Sequence, residues 1–174
     1  MRIIFIGDVV GSAGCEALET ELSSIKREYG ADIVIVNGEN SAEENGIDPR
    51  SAQRIFDSGA DVITTGNHVF RKRSINELLE TSERIIRPAN YGEDAPGRGL
   101  CELDLGAYRI AVPDVVIKAS LYQRQTAARC VPAAQYHSSI VRKSRIFLCL
   151  IPFRLRSSSS IETTYLGKLS RIVP

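Results

Sequence analysis

Three short polar clusters each close a run of apolar, largely β-branched residues. Gly7-Asp8 follows Ile3-Ile4-Phe5-Ile6, Gly38-Glu39-Asn40 follows Ile33-Val34-Ile35-Val36, and Gly66-Asn67-His68 lies just beyond Val62-Ile63. Asp8 and Glu39 bring carboxylates, Asn40 and Asn67 neutral amide oxygens, and His68 an imidazole that titrates near neutral pH. Hard oxygen donors of this kind suit divalent cations that activate water. Two such cations sharing a carboxylate clamp both oxygens of a displacement at phosphorus. The set therefore predicts half of a two-metal phosphoesterase site. Asp8 would serve the first metal, Glu39 would bridge, Asn40 and Asn67 would add carbonyl oxygens, and His68 would protonate the departing alkoxide. Each residue also has a structural role open to it: Asp8 as a helix cap, and Asn40, Asn67 and His68 as turn residues satisfying backbone. Their recurrence at three successive strand ends, each time after a Gly, favours the chemical reading.

The elements that must position these residues alternate. Arg2–Ile6 predicts a first strand buried on both faces, followed by a Gly-rich turn over Gly7–Gly14 and a helix from about Cys15 to Tyr29, stopped by Gly30. Ile33–Val36 is the second strand. Asp48-Pro49 has the form of an N-cap with proline at the first helical position, opening a helix that ends near Gly59. Val62–Thr65 is the third strand, and Ser74-Ile75-Asn76-Glu77 has the capping-box form that predicts a short helix over Leu78-Leu79. Ile85-Ile86 predicts a fourth strand, and Cys101–Leu105 with Tyr108–Val112 a hairpin across Gly106-Ala107. Alternation of this kind predicts a parallel βαβαβ sheet whose ligands bind outside the carboxyl ends of the strands.

Composition is that of a globular protein: 174 residues, 43% hydrophobic and 25% charged, with net charge +1. The balance hides a split. Met1 to Val112 carries 12 Lys and Arg against 19 Asp and Glu, a net of −7, whereas Pro113 to Pro174 carries 10 against 2, a net of +8. Periodicity also fades after Pro113, which predicts two segments, an α/β portion over 1–112 and a basic tail of undefined fold over 113–174. Cys15, Cys101, Cys130 and Cys149 have neither metal-ligand nor redox spacing, and the first apolar run lacks a signal-peptide cleavage site, so a cytoplasmic protein with reduced thiols is expected. The longest late apolar stretch, Ile146 to Phe153, falls far short of the roughly 20 residues of a membrane helix. A dinucleotide-binding loop at Gly7–Gly14 is a minor alternative, because Val9 stands where that motif needs its second Gly. Arg71-Lys72-Arg73 and Arg87 are candidate phosphate contacts, with solvation or salt-bridging as the alternative.

Gly7-Asp8-Val9-Val10-Gly11, Asn37-Gly38-Glu39-Asn40, Gly66-Asn67-His68 and Arg87-Pro88-Ala89-Asn90 together resemble the YmdB-type branch of calcineurin-like metallophosphoesterases, over Met1 to about Val112. The resemblance implies an α/β fold, the N-terminal half of a metallophosphoesterase sandwich, and a centre of two metal ions, iron or manganese. It implies hydrolysis of phosphodiesters such as 2′,3′-cyclic nucleotides. Carried over, Asp8 and Asn40 bind one metal, Glu39 bridges, Asn67 binds the other and His68 is the proton donor. Val69 departs from the acidic residue that follows the histidine elsewhere in the superfamily. The family's further histidines, in a His-Gly and a Thr-His-x-His segment, have no counterpart here; the one other histidine is His137. Weak metal binding and little turnover are therefore expected of this chain. An open sheet edge is expected where the second half of the fold would pair, and the tail has the look of a reading-frame change near residue 113 or a decayed copy. The alternative reading is a non-catalytic fragment that holds a nucleotide or phosphate at Gly7–Gly14 while the basic tail contacts RNA, without a recognised RNA-binding motif. Homo-oligomerisation, by which another copy would supply the missing ligands, is open.

Overall fold

The computed structural model describes residues 1–106, 109–116 and 147–152. His137, Cys130 and the serine run at 157–160 lie outside the described residues. The chain alternates β1 (Arg2–Gly7), α1 (Gly11–Tyr29), β2 (Ile33–Asn37), α2 (Pro49–Asp57) and β3 (Val62–Thr64). Two 3-10 turns, Gly66–Arg71 and Arg73–Ile75, lead into α3 (Asn76–Thr81) and β4 (Ile85–Ile86). A hairpin of β5 (Leu100–Asp104) and β6 (Arg109–Pro113) follows, then β7 (Phe147–Pro152). The main sheet has the order β4-β3-β2-β1-β7. Its first four strands are parallel, the α/β architecture that the alternation predicts.

Alternating side chains sort the sheet into two buried faces, as a strand's period of two requires. Ile4, Ile6, Val34, Val36 and Ile63 meet Leu18 and Leu22 of α1, Ile55 of α2 and Leu79 of α3. Ile3, Ile33, Ile35, Val62 and Ile86 meet Cys101 and Val112 of the hairpin. The result is three layers: helices, sheet and hairpin. Burial on both faces explains why these strands read as unbroken Ile/Val runs.

Register is what places the candidate residues. Ile6 lies opposite Val36, Val36 opposite Ile63, and Thr64 opposite Ile86. The carboxyl ends of β1, β2 and β3 therefore stop level with one another.

Three expectations need correction. First, α1 begins at Gly11, not near Cys15. The small residues Gly11 to Gly14 favour it: a Cβ on Gly14 would lie 3.0 Å from the buried Val9 side chain, which would have to give way for the first turn to sit this close. Second, the Ser74…Glu77 capping box does not form. Residues Arg73–Ile75 make a 3-10 turn, and α3 starts without any side-chain cap. The equivalent signal at α2 does form, with the Asp48 carboxylate accepting from the Ser51 N–H at 2.7 Å and the Ser51 hydroxyl facing the Asp48 N–H. Third, the outer edge of β1 is not open. β7 pairs antiparallel along it from Arg2 to Gly7. This removes the unpaired backbone groups that a free edge presents.

Among the described residues no helix is long and apolar enough to cross a membrane. Cys15 and Cys101 are buried free thiols on opposite faces of the sheet, each held above the ordinary thiol range by burial.

Ile63 is fully buried in the central strand. Ile63→Ala removes three heavy atoms where neighbours cannot collapse, and should lower unfolding free energy by about 2–5 kcal/mol in urea titrations. A loss under about 1 kcal/mol would show that this sheet is not the packed centre.

Candidate active site at the strand ends

Each candidate residue is carried by the loop leaving a level strand end. Asp8 leaves β1 in a left-handed conformation, φ 53°, which Asp tolerates better than most residues. Asn40 leaves β2 and forms an isolated parallel bridge with Val10, its carbonyl accepting from the Gly11 N–H at 2.9 Å. This ties the first loop to the second. Gly66 opens the 3-10 turn after β3 with φ +50°.

The side chains then meet. The Asn40 Nδ2 group donates to Asp8 Oδ1 at 2.6 Å, and Asn40 Oδ1 lies 2.7 Å from His68 Nδ1. The orientation of that amide follows from chemistry. An ionised carboxylate only accepts, so the amide nitrogen must face Asp8 and its oxygen must face His68. Nδ1 of His68 then carries the proton, leaving Nε2 as the ring's other face. Asn40 thus supplies the partner that Val69 cannot, and one amide joins three strand tips.

Glu39 occupies the space left by Gly66. A Cβ there would collide with the Glu39 carboxylate, so the missing side chain is what admits it. Partial burial holds the Glu39 carboxyl above its usual range. His68 and the Asn67 N–H pull it down, while the Asp8 and Asp114 carboxylates push it up. Asn67 joins the site through its main chain, its N–H serving Glu39 and its carbonyl accepting from the Tyr91 hydroxyl at 3.5 Å. Its side chain is exposed. Beside it Phe70 and Tyr91 pair with ring centroids 6.0 Å apart.

Two other candidates turn elsewhere. Arg87 is buried and donates to the carbonyls of Pro88 at 2.9 Å and Ala95 at 3.3 Å, bracing its own loop. Lys72 pairs with Glu44 at 3.8 Å, and Arg71 and Arg73 are exposed. One residue was not visible as a site residue in the sequence. Asp114, just past β6, is buried, and its carboxylate accepts from the N–H groups of Thr65 and Gly66, each at 2.9 Å. Burial raises its carboxyl, opposed by those two N–H groups and that of Val115.

Known proteins share this arrangement of elements. The profile of the family described as YmdB-like protein matches residues 4–146. The chain belongs to the YmdB-like family. It is 38% identical over 112 residues to the 2′,3′-cyclic-nucleotide 2′-phosphodiesterase of Bacillus subtilis strain 168, covering 64% of this chain and 42% of that protein. It superposes with a TM-score of 0.61 and 38% identity on the crystal structure of a hypothetical protein from Thermus thermophilus, covering 66% of this chain and 44% of that one. It superposes equally, TM-score 0.61 at 28% identity, on a novel phosphatase from Mycoplasma pneumoniae, covering 66% and 42%. The chain thus spans about two fifths of the length of the relatives it matches.

Whether the residues fit a metal can be judged from the donors. Among the described residues no three His, Cys, Asp or Glu side chains form a cluster able to hold an ion. The oxygen donors that meet at the strand ends are the Asp8 carboxylate, the Asn40 amide against it and the half-buried Glu39 carboxylate, whereas the Asn67 side chain is exposed.

Two outcomes test the geometry. Gly66→Ala places a Cβ on Glu39 and forces a left-handed conformation on alanine, which should cost on the order of 1–3 kcal/mol in chemical denaturation; an unchanged midpoint would contradict the packing of Glu39 into this turn. Glu39 has a folded-state pKa above its unfolded value. The metal-free fold is therefore favoured with Glu39 protonated and loses that advantage as pH rises through the raised value. Glu39→Gln should raise the melting temperature of the metal-free chain at about pH 7, with the difference closing toward about pH 4, near the ordinary glutamate value. A pH-independent difference would show that Glu39 is solvated.

Proposed function

We propose that the chain is a phosphoesterase that cleaves phosphodiesters such as 2′,3′-cyclic nucleotides, using a metal centre of which it holds one side. The observation that carries this reading is the Asn40 amide spanning the Asp8 carboxylate and the His68 ring. Relatives named as a 2′,3′-cyclic-nucleotide 2′-phosphodiesterase and a phosphatase support it. Asp8 and Asn40 would hold one divalent ion, Glu39 would bridge, and Asn67 would hold a second, with iron and manganese both suited to such oxygen donors. When bound, the metal supplies Lewis-acid polarisation of the phosphoryl oxygen and a water acidic enough to attack at neutral pH.

The chain's own residues account for the rest. Asn40 fixes the His68 ring by accepting from Nδ1, which leaves Nε2 as the nitrogen to carry a transferable proton. There it can be given to the leaving oxygen as the ester bond breaks. Asp8 holds Asn40 in turn by accepting from its amide nitrogen. Gly66 keeps the pocket for Glu39 clear. With donors on one side only, this chain should hold metal weakly and turn over slowly.

An assay of bis-p-nitrophenyl phosphate and a 2′,3′-cyclic nucleotide with added Mn²⁺ tests the proposal. Slow, Mn²⁺-dependent hydrolysis is expected. It should vanish in Asp8→Asn and fall by about 10²–10⁴-fold in His68→Ala, the range for loss of a general acid. Hydrolysis indifferent to Asp8 and His68, or none at any Mn²⁺ concentration, would overturn it. Stoichiometric tight metal would overturn the claim of weak binding.

A further inference from the structure

We infer that Asp114 is a positioning residue for the His68 turn, brought there by docking of the segment Asp114–Val116 onto the Arg87–Asn90 motif. Four hydrogen bonds seat the segment. Pro88 and Asp114 form a parallel bridge, and the Ala89 N–H donates to the Asp114 carbonyl at 2.8 Å. The Asp114 N–H donates to the Gly99 carbonyl at 3.2 Å. The Asn90 side chain acts as a peptide group facing Val116: its Nδ2 donates to the Val116 carbonyl at 2.7 Å, and its Oδ1 accepts from the Val116 N–H at 3.1 Å. The motif that the chemistry left unused therefore has a mechanical task. It holds an extended segment in place on both sides of one buried carboxylate.

That carboxylate accepts from three main-chain N–H groups, those of Thr65, Gly66 and its neighbour Val115. A single oxygen, Oδ2, takes the adjacent N–H groups of Thr65 and Gly66, each at 2.9 Å. Two successive amides point to one place because Thr65 has ψ −4°, which turns its own N–H and that of Gly66 to the same side. Thr65 has a second acceptor in the Ile86 carbonyl at 3.2 Å, so the Gly66 N–H depends more heavily on Asp114. The latch sits at the start of the turn whose next two residues give Glu39 its N–H donor and Asn40 its imidazole partner. Without an acceptor the Gly66 amide is left unpaired in a partly buried site, which disfavours the turn. The inference that this matters to catalysis rests on His68 as proton donor. The latch itself rests on geometry alone.

Asp114→Asn and Asp114→Ala in the full chain separate the possibilities. An amide oxygen can replace Oδ2 and keep both hydrogen bonds while removing the charge; alanine keeps neither. NMR of the metal-free protein should show Gly66 amide exchange faster by about tenfold or more in Asp114→Ala, in line with loss of one buried hydrogen bond, together with moved His68 ring resonances. Asp114→Asn should restore both. Where Mn²⁺-dependent turnover is present, the Ala variant should lose kcat with little change in KM, and the Asn variant should recover it. Wild-type Gly66 exchange and His68 resonances in Asp114→Ala would overturn the inference. If the Ala variant does not fold, the Asn variant decides: wild-type His68 signals support the latch, and displaced signals overturn it. Absence of turnover in the wild type would count against the phosphoesterase reading and leave the NMR outcome to decide Asp114.

Discussion

Parallel pairing of β1, β2 and β3 in level register is the constraint on which the site depends. Neighbouring strands lie about 4.8 Å apart, so three consecutive tips place their first loop residues within side-chain reach of one another. The apolar runs make that register obligatory, because a slip of one residue would turn Ile4, Val34 and Ile63 from the helical face to the hairpin face. From this register come the bridge of Val10 with Asn40, the span of the Asn40 amide and the entry of Glu39 beside Gly66. β7 closes the far edge of the same sheet, so β1 is held from both sides.

Glu39 is held at these tips against its charged form. Burial does most of this, the Asp8 and Asp114 carboxylates add to it, and His68 and the Asn67 N–H offset it. A backbone at φ 53° on Asp8 adds local strain. Proteins tolerate such arrangements where function requires them, and concentrated negative charge with poor compensation is what a divalent cation relieves. Asp114 differs from the other two. Burial raises its carboxyl too, but what surrounds it is three backbone N–H donors. That makes it suited to holding a turn in place, whereas Asp8 and Glu39 remain available to a ligand.

Much of this was legible in the sequence, for physical reasons that differ by residue. The strands were visible because burial on both faces demands unbroken apolar runs. Asp8, Glu39, Asn40, Asn67 and His68 were visible as candidates because they follow those runs directly. The Asp48-Pro49 start was visible because its capping signal is local and the Ser51 partner lies within the same turn. The Ser74…Glu77 signal is of the same local kind, yet tertiary packing of Ile75 and Leu79 drew the preceding residues into a 3-10 turn instead. Asp114 was not visible because its partners are 48 and 49 positions away and nothing in Val112-Pro113-Asp114 marks a buried carboxylate. β7 shows in the sequence only as an apolar stretch, since pairing with a distant edge leaves no local periodicity.

The central claim is that Asn40 joins the tips of all three strands by holding Asp8 and His68 together. Long-range ¹H–¹⁵N NMR of the histidine rings tests it directly, since the chain has two histidines to distinguish. The neutral His68 ring should carry its proton on Nδ1 in the wild type. In Asn40→Ala the proton should move to Nε2, the tautomer that unconstrained histidines favour. An Nε2-protonated ring in the wild type, or identical spectra in the two proteins, would contradict the account.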